Sequence, residues 1–281
     1  MLMERLSMVG KRVIVTGAGR GLGRQIAFAL ADAGADIVCA ARTVDEIEAT
    51  AEAVRARGRR ALALPTDVTL PAQMNALVER TVAEWGGVDV FVANAGGATA
   101  GGAGGATLRD VAEIEDDEWR RAIDLNLSSV VYGARAVAPV FREHGGGVII
   151  TVGSVTGLRA DPRLLAYGAA KAAVINLTAS LAQQLASDNV RVNAIVPGYM
   201  LQQPLDGADA IAAARVRGAF LPVGRLGEVW EIGPLALFLA SEGSSYVTGS
   251  AFVIDGGGLA GGATPIDWDV AAQPGTTVVR P

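Results

Sequence analysis

The sequence predicts an α/β fold: a single domain built on a parallel sheet of seven strands with helices on both faces. Three observations point there. Runs rich in Val and Ile alternate with amphipathic stretches of helical length from residue 11 to about 255. Parallel neighbours need crossovers of a dozen or more residues, and the helical stretches supply them. The chain of 281 residues fits one large domain and shows no linker in its middle, so residues 1–258 are read as the domain and 259–281 as a tail packing near the active site or a neighbouring subunit.

The elements follow in order. Strands are expected at 12–16, 36–40, 60–64, 88–93, 148–152, 191–196 and 251–254, each a short apolar run of the kind buried on both faces. Helices are expected at 44–57 and 71–85, and from Tyr167 to about Leu185, where apolar positions recur at helical spacing. Two segments break the alternation. Residues 96–106 are uncharged, and six of the eleven are Gly, so they read as a loop and a candidate flap; the tail after 256 carries Gly, Pro and Trp268 without a period.

Composition narrows the function. A hydrophobic share of 51% against 19% charged residues is that of a chain with a large core. The formal charge of −5 argues against nucleic acid, which is held by basic stripes. Cys39 and His144 are the only Cys and His, which leaves no disulfide within the chain and no His or Cys cluster for a metal. His144, in Arg142-Glu143-His144-Gly145, reads as a helix end. No run of about 18 apolar residues is present and residues 1–10 lack a signal-peptide pattern, so the expectation is a cytoplasmic protein without a membrane partner.

In such sheets ligands sit at the carboxyl ends of the strands. The first strand runs into Thr16-Gly17-Ala18-Gly19-Arg20-Gly21-Leu22-Gly23 and a helical pattern follows, a turn in which backbone amides and a helix start can receive a pyrophosphate. The second strand ends in Ala41-Arg42, where an NAD enzyme would carry a carboxylate for the ribose hydroxyls; Arg42, helped by Arg20, suits a 2′-phosphate instead. NADP(H) is therefore expected over NAD(H). Asp67, beside Val68 after the third strand, can accept from an adenine amino group, and Asn94-Ala95-Gly96 after the fourth offers small residues for a backbone close to a coenzyme. Ser154 stands past the fifth strand. Tyr167 and Lys171 lie four apart on one helix and so share a face, and a neighbouring cation favours a phenolate.

The turn T-G-x-x-x-G-x-G, N-A-G, Ser154, Y-x-x-x-K and Pro197-Gly198 stand in the order and at the intervals of the short-chain dehydrogenase/reductase family, and the chain resembles its compact single-domain branch over residues 8 to 258. The resemblance implies a Rossmann sheet and reversible hydride transfer between a nicotinamide and an alcohol or ketone. It makes Tyr167 the general acid, Ser154 the residue that orients the carbonyl, Lys171 a ribose ligand that lowers the tyrosine pKa, and Asn126 the holder of a relay water. Gly17, Gly21 and Gly23 would line the pyrophosphate, with Leu22, Ala95, Gly96, Pro197 and Gly198 beside the coenzyme. A homotetramer is implied, with a small carbonyl or alcohol as substrate.

The chain departs from the family pattern at Ala93 and Ala170, which remove no catalytic group, and at Gln202, where a Thr commonly bonds the nicotinamide amide. Met200, Leu201, Leu205, Phe220 and Leu221 make an apolar lid, and the substrate pocket is expected along 97–106, 155–165, 199–220 and the tail near Trp268. The leading reading is an NADPH-dependent carbonyl reductase or alcohol dehydrogenase. The alternatives are a 3-oxoacyl thioester reductase, for which Arg159 and Arg163 would face an acidic carrier, and a nucleotide-sensing regulator without turnover.

Overall fold

The computed structural model describes residues 2–98, 111–202 and 206–260. The chain runs α1 (Leu2–Arg5), β1 (Arg12–Thr16), α2 (Gly21–Asp32), β2 (Asp36–Ala41), α3 (Val44–Arg55), β3 (Ala61–Pro65), α4 (Pro71–Trp85), β4 (Val90–Ala93), α5 (Asp116–Ile123), α6 (Ser129–Glu143), β5 (Gly147–Val152), α7 (Leu165–Leu185), β6 (Val190–Pro197), β7 (Met200–Leu201), α8 (Ala208–Gly218), β8 (Gly227–Glu228), α9 (Ile232–Ala240) and β9 (Ala251–Ile254). Seven strands form one parallel sheet in the order β3-β2-β1-β4-β5-β6-β9. The expected strands are all there, with ends displaced by one or two residues. The two-residue pair β7 and β8, which forms a separate small sheet, was not expected.

Alternation along each strand divides the core between two faces. Val13, Val15, Ile37 and Cys39 point to one, where they meet Ile26 and Leu30 of α2, Ile47 and Val54 of α3, and Ile232 and Leu239 of α9. Ile14, Val38 and Phe91 point to the other, against Met74 and Leu77 of α4, Val137 and Phe141 of α6, and Val174 of α7. Because both faces are covered, the strands are continuous apolar runs with no polar alternation. Removing a fully buried ring such as Phe91 would cost about 3–5 kcal/mol.

By length and composition the helical run Leu165–Asp188, 24 residues at hydropathy 1.2, is long and apolar enough to cross a bilayer, although no unbroken apolar run marks it in the sequence. It packs instead on β5 and β6, with Val174, Thr178, Ala182 and Leu185 buried there. The sheet order reverses between β1 and β4. A crevice opens outside the carboxyl ends of these strands, at the position where open α/β sheets take ligands.

Candidate active site

A cavity of about 640 Å³ occupies that crevice. Its wall takes in Gly17, Arg20, Gly21, Leu22, Gly23, Arg42, Asp67, Val68, Asn94, Ala95, Gly96, Ser154, Tyr167, Pro197 and Gly198, all singled out by the sequence. The remaining two, Asn126 and Lys171, lie behind the wall, 1% and 3% exposed.

The glycine turn is shaped for a close approach. Gly17 and Gly21 take φ of +67° and +54°, a region L side chains rarely adopt. Thr16 ties the turn to the next strand: its hydroxyl donates to the Val92 carbonyl at 3.1 Å and accepts from the amides of Asn94 and Ala95, both at 3.1 Å. Asn94 answers by donating its side-chain amide to the Thr16 carbonyl at 2.9 Å. The helix α2 starts at Gly21 with Arg20 as N-cap, no side-chain cap and no acidic residue in its own first turn, and its positive end faces the cavity. That cradle fits a pyrophosphate.

Arg20, Arg42 and Thr43 form the far end of the cavity with Glu46, which the sequence reading passed over. Arg20 and Arg42 are exposed, and neither makes an ion pair among the described residues. Asp67 accepts from the Thr69 hydroxyl at 2.7 Å and its amide at 3.0 Å. Burial pushes the Asp67 carboxyl up, but the Thr69 bonds and the Arg42 cation outweigh it, and the pKa ends below the ordinary carboxylate value. Asp67 is therefore a fixed, ionised acceptor on the cavity wall.

The opposite end holds the chemistry-bearing side chains. Ser154 caps a short 3₁₀ turn, Val155–Gly157, and its oxygen accepts from the Thr156 hydroxyl at 2.9 Å and the Thr156 amide at 3.3 Å. Burial raises the Tyr167 pKa, and the neighbouring Ser154 hydroxyl only partly offsets this. Lys171, one turn further along α7, donates to the Val152 carbonyl at 2.8 Å, and its amine lies 5.6 Å from the Tyr167 ring centroid. Desolvation pushes its pKa down to about 8.

The expectation that Lys171 lowers the tyrosine pKa finds no support in this geometry: the ammonium faces the ring and a carbonyl, and burial pushes the phenol up.

Asn126 sits in a π turn, Asp124–Ser128, between α5 and α6. Single π turns inside helices recur at functional sites. Its Oδ1 accepts from the Gly97 amide at 2.9 Å, and its Nδ2 donates to the carbonyls of Gly97 at 3.1 Å and Ala122 at 3.0 Å. The side chain therefore anchors the start of the glycine-rich loop. Gly96 runs between Asn126 and Lys171, and a Cβ there would lie 2.7 Å from Asn126 Oδ1 and 3.1 Å from Lys171 Nζ. The rest of that loop, residues 99–106, lies outside the described residues, as do Leu205 and the tail with Trp268.

Gln202 crosses the cleft and puts Oε1 against Gly21, on the pyrophosphate side. Of the described residues expected to line the substrate pocket, only Gly97, Ala98 and Gln202 reach this cavity. Leu221 is buried, Phe220 is 78% exposed, and Arg163 is held by Asp161 at 3.0 Å. His144 caps α6 as read from sequence, its ring nitrogens each 2.8 Å from the carbonyls of Val140 and Gly86.

A family model described as enoyl-(acyl carrier protein) reductase matches residues 17–258. The chain is 37% identical over 265 residues to 2-dehydro-3-deoxy-D-gluconate 5-dehydrogenase of Dickeya dadantii (strain 3937), across 92% of this chain and 100% of that protein. It is 36% identical to the 3-oxoacyl-[acyl-carrier-protein] reductase FabG of Escherichia coli (strain K12), across 90% and 98%. Among solved structures, L-sorbose reductase from Gluconobacter frateurii, complexed with NADPH and L-sorbose, superposes with a TM-score of 0.83 at 30% identity, covering 91% of this chain and 98% of that one. A 7 alpha-hydroxysteroid dehydrogenase complexed with NADH and 7-oxo glycochenodeoxycholic acid superposes at 0.80 with 31% identity, covering 91% and 96%. The chain belongs to the short-chain dehydrogenase/reductase family. It is an oxidoreductase that uses a nicotinamide coenzyme on CH-OH or carbonyl groups.

Proposed function

We propose that the protein reduces ketones with NADPH, or oxidises the corresponding secondary alcohols with NADP⁺, and that its substrate is hydrophobic or cyclic. One observation carries the reading: a single cavity joins Arg20 and Arg42 at one end to Ser154 and Tyr167 at the other. Two exposed guanidiniums without ion-pair partners among the described residues suit a 2′-phosphate, each charge-assisted bond contributing about 1.5–3 kcal/mol.

A nicotinamide coenzyme, when held along this cleft, would supply or take up the hydride. Tyr167, kept protonated at neutral pH by its raised pKa, donates to the carbonyl oxygen as negative charge develops there. Ser154 has its oxygen occupied as an acceptor from Thr156, which leaves its hydroxyl proton for the same substrate oxygen. Lys171 takes the ribose-binding role, and Asn126 positions residues 96–97 and is assigned the relay water that the family pattern implies. Exposed Ile211, Val216 and Phe220 on and after α8 support an apolar lid. A homotetramer acting in the cytoplasm, with no nucleic-acid or membrane partner, completes the reading, and sedimentation of the purified protein tests its oligomeric part.

The similarity to a 3-oxoacyl thioester reductase favours that substrate class as the second reading, although Arg163 is already committed to Asp161. The test is kcat/KM with NADPH and NADH across cyclic ketones, polyols and a 3-oxoacyl thioester. Consumption of NADPH with cyclic ketones supports the reading. A preference for NADH, activity confined to polyols, or coenzyme bound but never consumed would each overturn the corresponding part of it.

A further inference from the structure

We infer that Glu46 discriminates between coenzymes: its carboxylate faces the ribose end of the cleft, where it favours a free 2′-hydroxyl and opposes a 2′-phosphate, limiting the preference that Arg20 and Arg42 create. The inference rests on the NADP(H) reading above. The end of β2 carries no carboxylate where an acidic ribose ligand is expected, but α3 begins at Val44 and turns Glu46 back into the cavity wall beside Arg42 and Arg20.

Gly19 shows that the placement is built in. Its backbone lies outside the positive-φ region, so no conformational demand makes it glycine. Space does: a Cβ at Gly19 would come within 2.9 Å of both Cβ and Oε2 of Glu46. The turn is left bare where the Glu46 side chain lies across it.

The contact is held by a local network. The Thr50 hydroxyl lies 3.0 Å from the carbonyls of both Ala18 and Glu46, and Arg24 Nε donates to it at 3.0 Å. The Arg24 guanidinium also reaches the Gly19 carbonyl. These bonds clamp the first turns of α3 to the glycine turn. Glu46 is half-buried, and its carboxylate makes no ion pair among the described residues, so its charge is available to a ligand.

A carboxylate accepts from ribose hydroxyls but has no proton to offer a phosphate, which carries about −1.5 to −2 charges at neutral pH. Two such groups about 6 Å apart in a water-like dielectric repel by the equivalent of roughly a tenfold change in affinity.

The test is titration of the coenzyme-free protein with NADPH and with NADH, followed by coenzyme fluorescence, for Glu46→Gln, Glu46→Lys and Arg42→Ala. Glu46→Gln should tighten NADPH about tenfold and weaken NADH severalfold. Glu46→Lys should move the ratio further in the same direction, and high salt should shrink both changes. A ratio unmoved by both Glu46 variants, or parallel losses for both coenzymes, while Arg42→Ala still lowers the ratio, overturns the role of Glu46 and leaves the coenzyme reading standing. A ratio indifferent to Arg42→Ala overturns the coenzyme reading itself.

Discussion

Lys171 puts catalysis and stability in opposition, and Lys171→Met measures the conflict. The amine is 3% exposed and meets one carbonyl, that of Val152, with no carboxylate among the groups that shift its pKa. Depression of the pKa from 10.5 to about 8 corresponds to about 3 kcal/mol of destabilisation while the lysine is charged in both folded and unfolded chains. Methionine fills nearly the same volume without the charge. It forfeits the bond to Val152, worth about 1–2 kcal/mol, so the net gain is about 1–2 kcal/mol, or a melting temperature higher by about 2–6 °C.

The pH dependence supplies an independent sign. Because the folded pKa is the lower one, the unfolded chain binds more protons between about pH 8 and 10.5, and wild-type stability rises with pH across that window. The variant lacks this term. Its advantage is full below pH 8, crosses zero between about pH 8.5 and 9.5, and gives way near 10.5 to a deficit of about 1–2 kcal/mol, the lost Val152 bond. Calorimetric or circular-dichroism melts of the coenzyme-free proteins at pH 7, 8.5 and 10 read the difference, and turnover should fall at least about 100-fold alongside. A variant no more stable than wild type at pH 7, or an advantage that does not narrow with pH, would refute the reasoning.

Three further outcomes follow from the same geometry. Tyr167→Phe should lower kcat by about 10²–10⁴-fold while coenzyme affinity and melting stay near wild type, since the change removes the hydroxyl and keeps the ring; near-normal turnover would remove Tyr167 from the proton step. Gly96→Ala drives a methyl against Asn126 and Lys171 and should cost about 10- to 100-fold in kcat through misplacement, with the fold retained by circular dichroism. Asp89 receives the Arg12 guanidinium at 2.7 Å and the Arg12 amide at 2.8 Å where β1 begins. Burial raises its pKa, but these bonds more than reverse the shift; Asp89→Asn should cost about 1–3 kcal/mol in urea titrations at pH 7, and the deficit should disappear as pH falls below the ordinary carboxylate value of 3.8.

The parts of the molecule that were legible in the sequence are those set by local periodicity. Val13 to Val15 and Ile149 to Ile150 read as strands because burial on both faces leaves no polar alternation to obscure them. Tyr167 and Lys171 read as neighbours because four residues is about one helical turn. What such spacing does not specify is which end of the ring the ammonium meets, or how deeply the phenol is buried, and it is burial that pushes the Tyr167 pKa up while the ammonium bonds the Val152 carbonyl. The π turn that presents Asn126 has no signature in Asp124-Leu125-Asn126-Leu127, because four or five residues are too few to tell a π turn from an α turn by period. Glu46 and Gln202 were invisible or misplaced for a related reason: each reaches the glycine turn from a separate segment, and only tertiary packing brings them there.

The two ends of the cleft are governed by different physics, and this separates their responses to salt. Arg20 and Arg42 are exposed, so their pull on a phosphate weakens as the Debye length contracts from about 10 Å at 0.1 M to about 3 Å at 1 M. Lys171 and Asn126 are enclosed and act through short hydrogen bonds, which mobile ions do not reach. Raising ionic strength should therefore weaken NADPH binding severalfold, NADH binding much less, and leave kcat at saturating coenzyme unchanged. Steady-state kinetics at 0.05 and 1 M salt with one ketone and both coenzymes reads all three quantities. If kcat falls in step with NADPH affinity, the charges at the ribose end are acting on the reaction centre as well, and the division of the cleft into an exposed electrostatic end and a buried hydrogen-bonded end is wrong.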